Sequence, residues 1–179
     1  MKIRYIVLML VLTSFLCGNP LDIFEPYMGV IWEGYYQESE DSSLTHFIYW
    51  EYSLDSSRVF QIKTVPELDF KMVTTYYMDE RWKELASLTL LDQNTYAVGY
   101  VHKETNHIEI YSKNYHSKGF HETISHFELW EGKLIDRFYR KTKENWYLGH
   151  TIFYKALLIS EAFERMKSFE IKNEINLNK

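Results

Sequence analysis

The segment TYAVGYVHKETNHIEIYSKNY, Thr95–Tyr115, decides the fold class, because it contains two alternating runs separated by a short polar turn. In each run bulky apolar side chains recur at every second position, which is typical of a strand with one buried face. The turn between them, ETN, is too short for a crossover and permits only an antiparallel pair. The segment therefore predicts a β-hairpin.

The same alternation extends in both directions along the chain. Ten predicted strands cover 29–37, 44–52, 58–65, 69–80, 82–92, 95–103, 107–115, 121–130, 134–141 and 146–156. Every connection is short, so each strand should pair with its neighbours in sequence. An open meander of this length would expose two edges, which favours closure into a barrel, with a two-sheet sandwich as the alternative. The sequence predicts an all-β, antiparallel barrel of about ten strands.

Two segments outside the strands complete the predicted fold. LDIFEPYM, 21–28, is apolar and contains Pro26, so a short turn that plugs one end of the barrel is expected there. After the last strand, apolar residues such as Ile159, Ala162 and Phe163 recur at helical spacing. A C-terminal helix packed against the outside of the barrel is predicted, with a partner-binding helix as the alternative.

The start of the chain is typical of a secretory signal peptide. Lys2 and Arg4 precede a short apolar run that ends near Cys17. Cys17 is a candidate for lipid attachment, with simple cleavage after Gly18 as the alternative. The predicted regions are a signal peptide at 1–18, a β-barrel domain at 19–156, and a C-terminal helix and tail at 157–179.

Charge and cysteine content narrow the classes of partner. The formal net charge is −5, and it becomes −7 once Lys2 and Arg4 leave with the signal peptide. An acidic protein of this kind is not expected to bind nucleic acid, and a membrane tether is expected only through a lipid on Cys17. Because Cys17 is the only cysteine, the folded part has neither a disulfide nor a thiolate metal site.

Motifs in the first and last strands resemble a known group of proteins. The first strand carries Gly29-x-x-Trp32-x-Gly34, and the last strand carries Gly149-His150. They resemble small exported bacterial proteins that have a lipocalin-like, or calycin-type, barrel and no established activity. The resemblance implies a periplasmic protein or a membrane-anchored lipoprotein of a bacterium. More distantly, the motifs are similar to nitrobindin-type haem-binding barrels, which implies His150 as an iron ligand and haem as an alternative cofactor.

The motif residues also have structural interpretations of their own. Trp32 is expected to fill the closed end of the barrel and to use its indole N–H as a hydrogen-bond donor. Gly34 would allow a sharp bend or allow another side chain to lie across the strand. Gly29 and Gly149 are assigned to the same structural motif.

His150 is the histidine whose role decides most of the functional interpretation. By strand parity it shares a face with Trp146, Leu148, Ile152 and Tyr154. An inward neutral imidazole can ligate haem iron, bond a buried ligand, or pair with a tyrosine hydroxyl as part of the core. These three interpretations stay open from the sequence.

Two further pairs of polar residues lie within predicted strands. Asp136 and Arg137 are adjacent, so one of them should face inward, where an arginine could recognise a carboxylate head group. A surface salt bridge across neighbouring strands is the simpler interpretation. His126 and Glu128 share a face and could begin a metal site, although nothing nearby in the sequence nominates a third ligand.

The predicted role is an exported protein that binds a small apolar or amphipathic molecule in an aromatic-lined barrel mouth. Aromatic residues make up 17% of the chain, and no Gly-x-Ser-x-Gly or HExxH motif indicates a catalytic site. No cofactor is expected in this interpretation. The alternatives are a haem-binding barrel, and a filled barrel with a structural or interaction role. The candidate lining residues are Tyr76, Met78, Tyr96, Tyr100, Phe127, Trp146 and His150.

Overall fold

The computed structural model describes residues 18–37, 44–91, 94–165 and 167. Most of the predicted signal peptide and the candidate lipidation site Cys17 lie outside these residues, as does the tail from 168 onward. Among the described helices, none is both long enough and apolar enough to cross a membrane.

Ten strands form one closed antiparallel barrel in which every strand pairs with its sequence neighbours and the first pairs with the last. The predicted all-β barrel is therefore confirmed, and the sandwich is excluded. The strands are β1 (Ile31–Tyr36), β2 (His46–Tyr52), β3 (Arg58–Val65), β4 (Phe70–Asp79), β5 (Glu84–Leu90), β6 (Tyr96–Lys103), β7 (His107–His116), β8 (Gly119–Trp130), β9 (Lys133–Thr142) and β10 (Asn145–Leu157).

A 3₁₀ helix at Pro20–Tyr27 plugs one end of the barrel. Phe24 is completely buried, with its ring centroid 4.4 Å from that of Tyr76. The Tyr27 hydroxyl donates a 2.9 Å hydrogen bond to the carbonyl of Phe127 on β8. The indole N–H of Trp32 donates to the carbonyl of Tyr27 over 2.8 Å, which joins the plug to β1. The segment therefore fills this end and satisfies its own polar groups there.

A second close approach fixes β1 against β10. A Cβ atom added to Gly34 would lie 2.4 Å from the aromatic ring of Tyr154, which is itself buried. A side chain at position 34 would overlap that ring, so glycine is required for the two strands to pack at this point.

The chain continues from β10 into a short helix, α1, at 159–165, which packs against the outside of the barrel as predicted. Ala162 on α1 is completely buried against Ile31, Phe47 and Leu157. Beneath the helix the buried carboxylate of Glu33 faces two cations, since its oxygens lie 3.0 Å from Lys155 Nζ and 3.8 Å from Arg165 Nε. The helix is thus fixed by both apolar and ionic contacts.

The β9–β10 ladder contains one irregularity that changes the orientation of a whole strand end. Leu148 pairs with Tyr139 and His150 with Phe138, so Gly149 is an extra residue on β10. Such a β-bulge reverses the parity of the side chains on its two sides. The prediction that His150 shares a face with Trp146 and Leu148 is therefore wrong, whereas Ile152 does lie on its face.

Candidate functional site

The barrel contains a cavity of about 470 Å³ at the end opposite the plug. Its volume falls in the range of small-molecule sites, roughly 300–1,000 Å³. Apolar side chains form much of its wall: Val65, Leu68, Phe70, Met72, Leu91, Ala97, Ile110, Phe127 and Phe138. Polar and charged side chains complete it: Tyr36, His46, Gln61, Lys63, Thr74, Tyr76, Thr89, Thr95, Ser112, Asn114, His121, Thr123, Ser125, Asp136, Arg140 and His150.

The strand register places these residues at two depths. Tyr76 and Phe127 contact the plug through Phe24 and Tyr27, so they form the floor of the cavity. Residues from the strand ends farthest from the plug form its mouth: Phe70, Leu91, Asn114, His121 and Arg140. The site is therefore a well that is closed at the plug and open at the other end.

A buried ion pair crosses this well. Lys63 on β3 and Asp136 on β9 come from strands separated by three others, and their Nζ and Oδ2 atoms lie 3.3 Å apart. Their side chains are only 13% and 4% exposed. The second carboxylate oxygen, Asp136 Oδ1, has no hydrogen-bond partner among the described residues. Because burying such a pair is costly and seldom stabilises a fold, this pair makes the cavity the candidate site.

His46 contributes an imidazole with both nitrogens available. Within the described part of the chain neither ring nitrogen has a hydrogen-bond partner, and the residue is buried. Burial, with smaller contributions from Lys63 and His150, lowers the pKa of His46 to about 3. The ring is therefore neutral at pH 7, and its one N–H donor and one acceptor have no partner among the described residues.

His150 lies in the cavity wall and is held between two aromatic rings. It stacks on Phe138 with centroids 4.9 Å apart and meets the edge of Tyr36 at 5.3 Å. Burial lowers its pKa, and the charge of Asp136 partly opposes that change. His150 thus lines the cavity as a fixed imidazole that is neutral at neutral pH.

Gln61 and Tyr76 form a hydrogen-bonded pair at the floor. The Tyr76 hydroxyl donates to Gln61 Oε1 over 2.7 Å, and both side chains are almost completely buried. This bond fixes the amide, and Gln61 Nε2 has no partner in the described ranges. The floor consequently contains an amide donor whose hydrogen bond is not made within the described ranges.

The structure places the seven predicted lining residues in three locations. Tyr76, Phe127 and His150 line the cavity. Met78 pairs with Leu85 near the plugged end, beyond the cavity wall. The expectation that the remaining three, Tyr96, Tyr100 and Trp146, line the interior is wrong, because they lie on the outer face.

These three aromatic residues pack against two further tyrosines, Tyr111 and Tyr115. Tyr96 stacks on Tyr115, and Tyr100 stacks on Tyr111, each with centroids 5.2 Å apart. The edge of Trp146 meets the same Tyr111 at 6.5 Å. Trp146 was predicted to face inward because the reversal of side-chain direction at the Gly149 bulge was not foreseen. Tyr96 and Tyr100 lie in a strand with a regular alternating pattern, and its sequence does not show which face is the inner one.

Sequence reasoning missed His46, Gln61 and Lys63 as components of the site. The signal for two of them was present, since Gln61 and Lys63 share a strand face with the apolar residues Val59 and Val65 in RVFQIKTV. Asp136 was recognised as one of two adjacent charges, and it is the inward one. Its neighbour Arg137 faces outward and donates a 2.7 Å hydrogen bond to Glu128, which is the predicted surface salt bridge.

No protein family matches this chain, and no curated protein matches it either. The resemblance to exported lipocalin-like proteins therefore stays a prediction drawn from the two motifs.

Proposed function

We propose that this protein is an exported binding protein that holds a small amphipathic molecule inside the barrel. The observation that carries the proposal is a cavity whose wall includes three buried side chains, His46, Gln61 and Asp136, with polar atoms that have no hydrogen-bond partner among the described residues. Buried polar atoms are normally hydrogen-bonded, so a cavity that gathers several of them suits a ligand that supplies the missing partners.

The positions of these atoms define the expected ligand. Gln61 Nε2 can donate and Asp136 Oδ1 can accept, so the ligand's polar end should both accept and donate hydrogen bonds. Apolar side chains nearer the mouth, Phe70, Met72 and Leu91, would contact its hydrocarbon part. The cavity also argues against the alternative of a barrel filled by its own side chains.

Export is part of the same proposal and rests on the sequence of the first 18 residues. Intact mass measurement of the protein recovered from cells tests it directly. A chain that begins at Asn19 indicates simple cleavage, whereas one that begins at an acylated Cys17 indicates a lipoprotein. A full-length mass would contradict export through this segment.

The binding proposal is tested by native mass spectrometry of the protein purified without detergent, followed by titration with the fluorescent amphiphile anilinonaphthalene sulfonate. A co-purified small molecule, or saturable 1:1 probe binding, is expected. The variant Lys63→Met/Asp136→Leu removes the ion pair from the cavity wall and should weaken binding at least about tenfold, which corresponds to about 1.4 kcal/mol. Tyr100→Phe on the outer face is the matched control and should bind as the unaltered protein does. Equal binding by both variants would contradict the proposal.

Haem is the second candidate, because His150 is a neutral imidazole on the cavity wall and could hold the iron. An absorbance spectrum of the same preparation distinguishes the two candidates. A Soret band that disappears in His150→Ala would identify a haem barrel, whereas a bound mass without that band supports the amphiphile.

A further inference from the structure

We propose that His107, Glu109 and His126 form a binding site for a divalent transition-metal cation such as Zn²⁺ on the outer face of the barrel. The three side chains offer ligand atoms that all lie within 4.8 Å of one another. The site lies on the opposite face of the sheet from the cavity and does not depend on the binding function proposed above.

Strand register brings the three residues together. His107 and Glu109 are two apart on β7, so they share a face, and His126 on β8 lies directly opposite Glu109. The carboxylate oxygen Glu109 Oε1 lies 2.8 Å from His126 Nε2 and 3.3 Å from His107 Nε2. Two ligand atoms each about 2.1 Å from a tetrahedral ion are about 3.4 Å apart, so the cluster needs only small movements to enclose a zinc ion.

A surrounding set of hydrogen bonds orients the ligands. His107 Nδ1 lies 3.1 Å from Asn106 Oδ1, and Asn106 Nδ2 donates to Glu128 Oε1 over 3.2 Å. The amide nitrogen is thereby engaged with Glu128, and the amide oxygen faces His107. The Tyr111 hydroxyl donates to Glu109 Oε2 over 3.0 Å, which leaves Oε1 for the imidazoles. Partners of this kind behind metal ligands fix their orientation and tautomer.

The hydrogen bonding of His107 favours a cation. A neutral His107 has a single ring proton, and it cannot donate to both Asn106 and Glu109. When Nδ1 donates to Asn106, the lone pair of Nε2 faces the carboxylate oxygen of Glu109. A divalent cation bound between these two atoms turns that unfavourable contact into two coordinate bonds. Two imidazoles and one carboxylate are a set that zinc accepts, with water in the fourth position.

The site also bears on His126 and Glu128, the pair that the sequence suggested as the start of a metal site. Glu128 shares a face with His126 but is engaged by Arg137 and Asn106. The carboxylate that meets His126 comes instead from Glu109 on the neighbouring strand.

The experiment is a zinc titration of the tag-free protein against a chromophoric chelator, with zinc content measured after dialysis. One Zn²⁺ per chain is expected. Glu109→Gln and His126→Gln should each weaken binding at least about tenfold. Affinity should also fall as the pH is lowered from 7.5 to 5.5, because protons compete for the imidazoles. His116→Gln, at the other end of β7, is the matched control and should bind normally. His102 is unsuitable as a control, because it lies directly opposite Glu109 on β6.

A second measurement keeps the proposal testable if a variant fails to fold. X-ray absorption at the zinc edge of the unaltered protein should show imidazole and oxygen ligands in the first coordination shell. The proposal is overturned if no zinc binds at one per chain, if Glu109→Gln binds as tightly as His116→Gln, or if the absorption spectrum lacks imidazole.

Discussion

The plugged end of the barrel interior and the cavity beside it satisfy their buried polar groups differently. At the plugged end, Phe24, Tyr27 and Trp32 fill the space, and the polar groups of Tyr27 and Trp32 bond to backbone carbonyls. In the cavity, the buried side chains include His46 and Asp136, which have polar atoms without partners in the described residues. The difference teaches that one barrel can combine a tightly filled end with a cavity whose buried polar groups are not all satisfied among the described residues.

The largest expected effect is at the plugged end. Phe24→Ala would leave a cavity beneath the 3₁₀ helix, and it should lower the free energy of unfolding by about 3–5 kcal/mol. Urea unfolding measures this change. Leu54→Ala, in the fully exposed β2–β3 turn, is the control and should change it by less than about 0.5 kcal/mol. Similar values for the two variants would show that the plug does not stabilise the barrel.

The Lys63–Asp136 ion pair in the cavity should respond differently to single and double substitution. Lys63→Met leaves Asp136 buried without its cation and should cost about 3 kcal/mol of unfolding free energy. Lys63→Met/Asp136→Leu removes both charges and should restore stability to within about 1 kcal/mol of the unaltered protein. Urea unfolding measures the free energy of unfolding of the single variant, the double variant and the unaltered protein. A double variant as unstable as the single one would mean that the pair itself stabilises the barrel.

A pH dependence should follow from His46. Its folded pKa of about 3 lies below the ordinary value of 6.5, so between these values the unfolded chain binds the proton and the folded chain does not. The contribution of neutral His46 to the free energy of unfolding is therefore lost as the pH falls from 6.5 toward 3, by about 1.4 kcal/mol per pH unit. Relative to His46→Gln, the protein should lose about 2 kcal/mol of unfolding free energy between pH 7 and pH 5. Parallel pH profiles for the two proteins would contradict the burial of a neutral imidazole.

The smallest expected effect compares inner and outer tyrosines. Tyr76→Phe leaves Gln61 Oε1 buried without a donor and should cost about 1–2 kcal/mol. Tyr100→Phe removes the same hydroxyl from a half-exposed ring and should change stability by less than about 0.5 kcal/mol. Both values come from urea unfolding at pH 7. A larger loss of unfolding free energy in Tyr100→Phe than in Tyr76→Phe would contradict the assignment of Tyr76 to the interior and Tyr100 to the outer face.

The fold was predictable because each strand carries its own signal. Period-two alternation and short polar turns are local features, and closure follows from the need to remove two edges. The C-terminal helix was predictable for the same reason, through the spacing of Ile159, Ala162 and Phe163.

The site was less predictable because its geometry is not local. The bulge at Gly149 adds one residue to β10, and WYLGH is bulky on both of its faces, so nothing in the sequence signals the reversal at Trp146. The Lys63–Asp136 contact joins residues 73 positions apart across the barrel. Strand parity can show that each faces inward, but only the number of strands and their register show that they meet.

The ring of strands is completed by its first and last members. Ile31 pairs with Leu157 and Tyr36 with Ile152, so the seam joins segments more than a hundred residues apart in the chain. In kinetic terms, contacts this distant in sequence form slowly, because a long loop must close before they stabilise anything. As the chain emerges during synthesis, β1 can therefore pair with β2 early, but it gains its second neighbour only after β10 has been made. Until that moment the sheet is an open ribbon with two free edges, and the enclosed well has not yet formed.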